Sequence, residues 1–156
     1  MSESLLAIDL GLRTGLALFD GDGRLIWYRS RNYGNRARLR KAVFSVLNEA
    51  NGVKAVAIEG GGDIATPWIS EIERRGLKLL QINAERWRRE LLLSRHRRPG
   101  VDAKKHADTL ARKIIGWSDA KRPTSLRHDA AEAICIGLWA ARQLGWLRRY
   151  PDIVEV

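Results

Sequence analysis

Apolar and polar positions follow two alternating periods along this chain, and each change of period marks an element. Residues 5–8 and 15–19 are short apolar runs, the turn sequence "DGDG" follows at 20–23, and a β-rich run resumes over 25–28. Together they predict a three-stranded antiparallel meander. From Asn35, a residue type that caps helices, Leu39, Val43, Val46 and Leu47 fall on one stripe to about Asn48, and Asn51–Gly52 closes the predicted helix. "VKAVAIE" (53–59) has the pattern of a fully buried strand, and Pro67 suits the first turn of a helix over "TPWISEIERRG". "LKLLQI" reads as a fifth strand, and Asn83 or Ala84 opens a helix to Leu92. A basic loop (94–100), a helix from about Asp102 to Ile115, a polar linker and a long helix from about Leu126 to Leu144 complete the chain. The order βββαβαβα with further helices predicts an α/β protein. It has one mixed five-stranded sheet, helices on both faces and one domain over 1–156.

Composition narrows the class. At 156 residues and 45% hydrophobic the chain can bury a substantial core. No apolar run approaches the about 20 residues that span a bilayer. The start "MSESLLAIDLG" lacks a basic segment ahead of its apolar run, which argues against a signal peptide and for a cytoplasmic protein. The single cysteine, Cys135, excludes an internal disulfide and cannot make a zinc site alone.

Charge changes the picture more. The net charge is +10, and the excess is clustered. Between Arg29 and Lys41 there are six basic residues and no acid; between Glu85 and Lys113, ten basic residues face four acids. Two arginine-rich blocks without an amphipathic lipid-binding helix point to nucleic acid and away from a membrane. They supply Arg36, Arg40, Lys41, Arg86, Arg89, Arg97 and Arg98 as candidate DNA contacts, with Arg13 beside the first glycine turn.

Against this basic background a few carboxylates stand where they are costly. Asp9 ends the first apolar strand and Glu59 ends the fourth. Burying an unpaired carboxylate costs several kcal/mol, roughly, unless a donor or cation offsets it. For Asp9 the compensating partner is a backbone turn, Arg13, a phosphate or a metal ion. In "RHDAAEAICIGLWAARQLGWL" the last helix carries Asp129 and Glu132, about 60° apart around its axis and so on one face. First and fourth strands of such a sheet are commonly neighbours, which sets Asp9 beside Glu59. Crowded carboxylates repel, so a cluster of these acids implies divalent cations, and all-oxygen ligation suits Mg²⁺, with Mn²⁺ as a substitute. A basic protein with two such ions is built to hydrolyse a phosphodiester.

"LAIDLGLRTGLALFD", "VAIEGG" and "HDAAEAICIGLWAA", in that order and spacing, resemble the RuvC-type Holliday junction resolvases of the ribonuclease H-like superfamily. "INAERWRRELLL" and "GVDAKKHADTLARKIIG" follow the same layout, so the resemblance covers nearly the whole chain. Glu132 stands where the family usually has Asp, and a triple glycine follows Glu59; these features look like the divergent phage or prophage branch. The resemblance implies a ribonuclease H-like fold with Asp9, Glu59, Asp129 and Glu132 as catalytic metal ligands. It also implies contact of Lys104 or Lys105 with the scissile phosphate. It implies a homodimer that makes paired nicks in four-way DNA junctions and leaves 5′-phosphate and 3′-hydroxyl ends.

Several other residues keep more than one reading. His128 ligates metal, moves a proton, caps the helix or contacts phosphate. Asp63 is an outer metal contact or a turn acid. Trp68 packs in the core or stacks on an unpaired base, and Trp87, among Arg86, Arg88 and Arg89, lines a DNA surface. Competing functions are a YqgF-type nuclease acting on RNA, suggested by the similarity of "DLGLRTG" to that family's first motif, and a DNA-binding protein without catalysis. An actin-like ATPase would need two lobes, and this length supplies one.

Overall fold

The computed structural model describes residues 3–50, 52–92 and 101–154, with 101–103 described by backbone alone. Strands β1 (Ser4–Asp9), β2 (Arg13–Asp20) and β3 (Leu25–Asn32) form the antiparallel meander. Asp20 shapes its hairpin, accepting from the N–H groups of Asp22 and Arg24 at 2.9 and 3.0 Å. Helix α1 (Arg36–Glu49) starts where Asn35 accepts from the Arg38 N–H at 3.0 Å. Strand β4 (Val53–Glu59), helix α2 (Thr66–Arg74), strand β5 (Lys78–Ile82) and helix α3 (Ala84–Leu91) follow, α3 capped by Asn83. Helices α4 (Val101–Ser118) and α5 (His128–Gln143) complete the fold.

The sheet order is β3-β2-β1-β4-β5, with β4 parallel to both β1 and β5. Alternation along the strands splits the core in two. Leu5, Ala7, Ala17, Phe19, Ala55 and Ala57 pack under α3, α4 and α5; Leu6, Ile8, Leu16, Leu18, Val56 and Ile58 pack under α1 and α2. This is a ribonuclease H-like mixed sheet with helices on both faces. Among the described residues no helix is long and apolar enough to cross a membrane.

Helix α5 is buried nearly all round, from Asp129 to Ala141, because its small residues let it lie flat on the sheet. Two glycines set that approach. A Cβ on Gly15 would stand 1.9 Å from the Asp129 carbonyl oxygen, and one on Gly137 would stand 2.0 Å from the Phe19 ring.

Several boundaries differ from the pattern: β2 starts two residues before Gly15, and β3 runs four residues past Tyr28 to Asn32. Helix α4 runs on past Ile115 to Ser118, with Gly116 inside it, and ends at Asp119, whose φ of 57° lets the Ala120 N–H close onto the Ile115 carbonyl at 3.0 Å. A non-glycine left-handed residue ends the helix, so the nearest glycine misplaces the stop. Helix α5 begins at His128, two residues after Leu126, because Arg127 is still extended.

The topology gives the molecule a polarity. β1, β3, β4 and β5 end, and β2 begins, at one end of the sheet. Helices α1, α2 and α3 leave from that end, and α5 starts there against Gly15. Helix α4 runs the same way, since Trp117 near its C-terminus meets Arg24 at the opposite hairpin. Among the described residues five helix N-termini, each equivalent to about half a positive charge, therefore face the end of the sheet that carries Asp9 and Glu59.

Candidate active site

Strand register brings the first two acids together. Asp9 and Glu59 are aligned partners on the parallel pair β1–β4. The Asp9 carboxyl is pushed up to about 8, first by burial, then by the charge of Glu59 and the hydrogen bond it shares with Glu59, and further by Glu132 and Asp129. Asp9 thus feels the charge of the other three acids at one end of the sheet.

Each of the other three is held by a specific partner. The Trp87 indole N–H on α3 donates to Glu59 Oε1 at 2.9 Å. Ser30 Oγ on β3 donates to Asp129 Oδ2 at 3.0 Å, and the Ala130 N–H donates to Asp129 Oδ1 at 2.8 Å. Ser30 reaches Asp129 because it aligns with Gly15, the residue on which that turn of α5 rests. Glu132, 2% exposed, takes a 2.7 Å ion pair from Arg88 Nη2 and lies 3.2 Å from His128 Nε2. Burial raises the Glu132 carboxyl, Arg88 works against that, and Glu59 adds to it.

His128 is held below its ordinary range, first by burial and then by the charges of Lys104 and Arg88, against the pull of Asp129 and Glu59. It favours the neutral imidazole. Of the two candidate lysines at the start of α4, Lys104 is the one whose charge reaches both His128 and Glu132. Lys105 is exposed beside it, its carbonyl accepting from Thr109.

The remaining sequence candidates fall in three places. Arg13 is exposed at the start of β2, by the glycine turn. Arg36 and Arg40 line a cleft of about 500 Å³ between α1 and α2, where Arg36 pairs with Asp63 at 3.3 Å, and Lys41 is exposed on α1. Asp63 is therefore an ion-pair partner of Arg36. Arg86 and Arg89 are exposed on α3; Arg86 lies 5.4 Å from the Trp139 ring centre and Arg89 pairs with Glu85 at 2.9 Å. Arg97 and Arg98 lie outside the described residues.

Two aromatic readings are corrected. Trp68 is fully buried against β1, β4 and α1, so it packs in the core and offers no face to a base. Trp87 is also fully buried and lines no DNA surface; the large ring fills the core while its N–H serves Glu59.

Arg88 and Ser30 are the site residues that pattern reading misses. Arg88 sits in an arginine-rich run that looks uniformly solvated. The only sign is its place on α3 next to the buried pair Trp87 and Leu91, which turns it to the inner flank.

Among the described residues, no three acid, histidine or cysteine side chains stand close enough to enclose one ion. Glu132 is turned to Arg88 and His128, while Asp9 faces Glu59. The donor set nevertheless fits hard divalent cations. It is rich in carboxylate oxygen, and Glu132 Oε2 is buried without a hydrogen-bond partner among the described residues.

No protein-family model and no curated protein matches the sequence. Among solved structures the chain is similar to the RuvC of T. thermophilus in complex with a Holliday junction substrate. That similarity has a TM-score of 0.61 at 17% identity and covers 92% of this chain and 97% of the other. The fold is RuvC-like over essentially its full extent.

Proposed function

We propose that this protein is a structure-selective DNA endonuclease that resolves four-way junctions by metal-dependent hydrolysis, leaving 5′-phosphate and 3′-hydroxyl ends. The observation that carries this reading is the register of Asp9 with Glu59 beneath Asp129 and Glu132 in a RuvC-like sheet. Paired incision of a two-fold substrate asks for two copies of the site, which favours a homodimer.

Asp9, Glu59, Asp129 and Glu132 would hold two Mg²⁺ or Mn²⁺ ions. Bound there, the ions supply an activated water and neutralise the leaving 3′-oxygen. The protein's own groups do the rest. The Trp87 N–H fixes the rotamer of Glu59, and Ser30 fixes Asp129. Arg88 offsets the buried charge of Glu132. Lys104, on the first turn of α4 with its charge reaching His128 and Glu132, would receive a phosphate oxygen.

The test is nicking of a synthetic four-way junction with Mg²⁺ or Mn²⁺, beside a linear duplex and a structured RNA. Asp9→Asn and Glu59→Gln should abolish junction cleavage and leave junction binding largely intact in a mobility shift. Wild-type cutting by either variant would remove the metal assignment. Cleavage of the RNA and not the junction would move the substrate to RNA.

A further inference from the structure

A cleft of about 420 Å³ follows the outer edge of β3, between that strand and the segment 121–127 that leads into α5. β3 is a border strand of the sheet, so no neighbouring strand fills this space. The far wall is fastened in place. The Tyr28 hydroxyl donates to the Lys121 carbonyl, Arg24 donates to the Trp117 carbonyl and stacks 3.6 Å above the Trp117 ring, and the Leu25 N–H donates to Ser118 Oγ at 2.9 Å.

One end of the cleft is formed by Ser30 and Ala130. Ser30 is the residue whose hydroxyl holds Asp129, so this end of the cleft lies beside the acid site. Its lining is one-sided in charge: among the described residues it contains no Asp or Glu. Of the cations, Arg29 is taken by a two-point contact with Glu49, at 2.6 and 2.7 Å. Lys121, Arg122 and Arg127 remain, all exposed. The floor is apolar, with Ile26 47% exposed and Tyr28 half-buried beside Leu126.

We propose that this cleft holds one unpaired nucleic-acid strand leaving the acid site. Its phosphates would lie on Lys121, Arg122 and Arg127 and its bases against Ile26 and Tyr28. The proposal rests on the endonuclease reading and names how that site selects branched substrates. Three cations along a groove with an apolar floor match a chain that alternates charge and flat rings. A cleft of about 420 Å³ has the size of a small-ligand pocket and matches the bases of a single strand better than the girth of a duplex. A four-way junction or a melted branch point supplies such a strand next to the scissile bond; an intact duplex does not.

The test is anisotropy of a labelled short oligothymidylate, and of a duplex of equal length, titrated with the full chain in EDTA. Lys121→Glu/Arg122→Glu, both at exposed positions, should weaken single-strand binding by about tenfold or more and flatten its salt dependence by about 1.4, at 0.7 per lost phosphate contact. Duplex binding should fall by less than about threefold, since the remaining basic blocks carry that term. Equal losses for the two ligands, or no loss, overturn the proposal. A wild-type chain that nicks no junction would instead remove the endonuclease reading and leave this binding result standing.

Discussion

Arg88 on α3 and Glu132 on α5 form a 2.7 Å ion pair in which the carboxylate is almost sealed from water and the guanidinium is one-quarter exposed. A charge buried with its partner is tolerable, and the same charge left alone costs about 3–5 kcal/mol. Arg88→Ala should therefore destabilise the protein by that order at neutral pH, far more than a surface arginine truncation. Adding Glu132→Gln should recover much of the loss. Urea denaturation of the two single variants and the double variant gives the coupling directly. Additive effects would show that the pair is not a stabilising unit.

The metal-free protein should lose stability as pH rises through the range in which Asp9 titrates. Its folded carboxyl stands near 8, raised by burial and then by Glu59, whereas an unfolded aspartate titrates near about 3.9. Between these values the folded chain holds a proton that the unfolded chain has released, so stability falls with increasing pH. Asp9→Asn removes this contribution. At pH 8 in EDTA the variant should melt above wild type, by roughly 4–8 °C if about 2 kcal/mol of charge burial is relieved. The expected crossover appears in melting curves taken across pH. Parallel profiles for variant and wild type would contradict the assignment. Glu132, raised chiefly by burial, keeps part of the slope in the variant.

Much of this arrangement was legible in the pattern. Period-two runs ended by Asp9 and Glu59, with a fourth strand returning beside the first, are enough to bring those acids into register. The i, i+3 spacing of Asp129 and Glu132 puts them on one face of α5. What the pattern hides is which polar side chains turn inward. Arg88 and Arg89 are adjacent and chemically identical, yet one pairs with buried Glu132 and the other with exposed Glu85. Only the rotation of α3 about Trp87 and Leu91 decides between them. The tryptophans mislead for a related reason. Their residue type suits both a stacking surface and a core, and burial, a property of the whole fold, assigns Trp68 and Trp87 to the core.

Gly15 sets how closely α5 can approach, and its substitution should damage stability and activity together. A Cβ there would lie 1.9 Å from the Asp129 carbonyl oxygen and 2.9 Å from the Ala130 nitrogen, both backbone atoms that cannot swing aside. Gly15→Ala must lift the first turn of α5, drawing Asp129 from Ser30 and Glu132 from Arg88. A loss of about 1–3 kcal/mol is expected from overpacking alone, along with loss of nicking. Gly61→Ala is the control, because a Cβ at Gly61 meets nothing within 4 Å. If Gly15→Ala melts and cuts like Gly61→Ala, close approach of α5 is not what positions the acids.

Trp68 and Trp87 offer a matched comparison of packing with orientation. Both are fully buried, but Trp87 Nε1 donates to Glu59 at 2.9 Å whereas Trp68 Nε1 has no partner among the described residues. Replacing either by Phe keeps a ring in the core and removes similar volume, so the packing losses should match. Trp87→Phe should lose about 1 kcal/mol more for its hydrogen bond. Only Trp87→Phe frees the Glu59 carboxylate to rotate. Removing a group that orients a metal ligand typically costs about 10–100-fold in metal affinity. Calorimetric titration with Mn²⁺ should show that loss for Trp87→Phe and wild-type affinity for Trp68→Phe, with junction nicking following the same order. Equal Mn²⁺ affinities in two folded variants would mean that the indole N–H is satisfied by Glu59 without holding it for a metal.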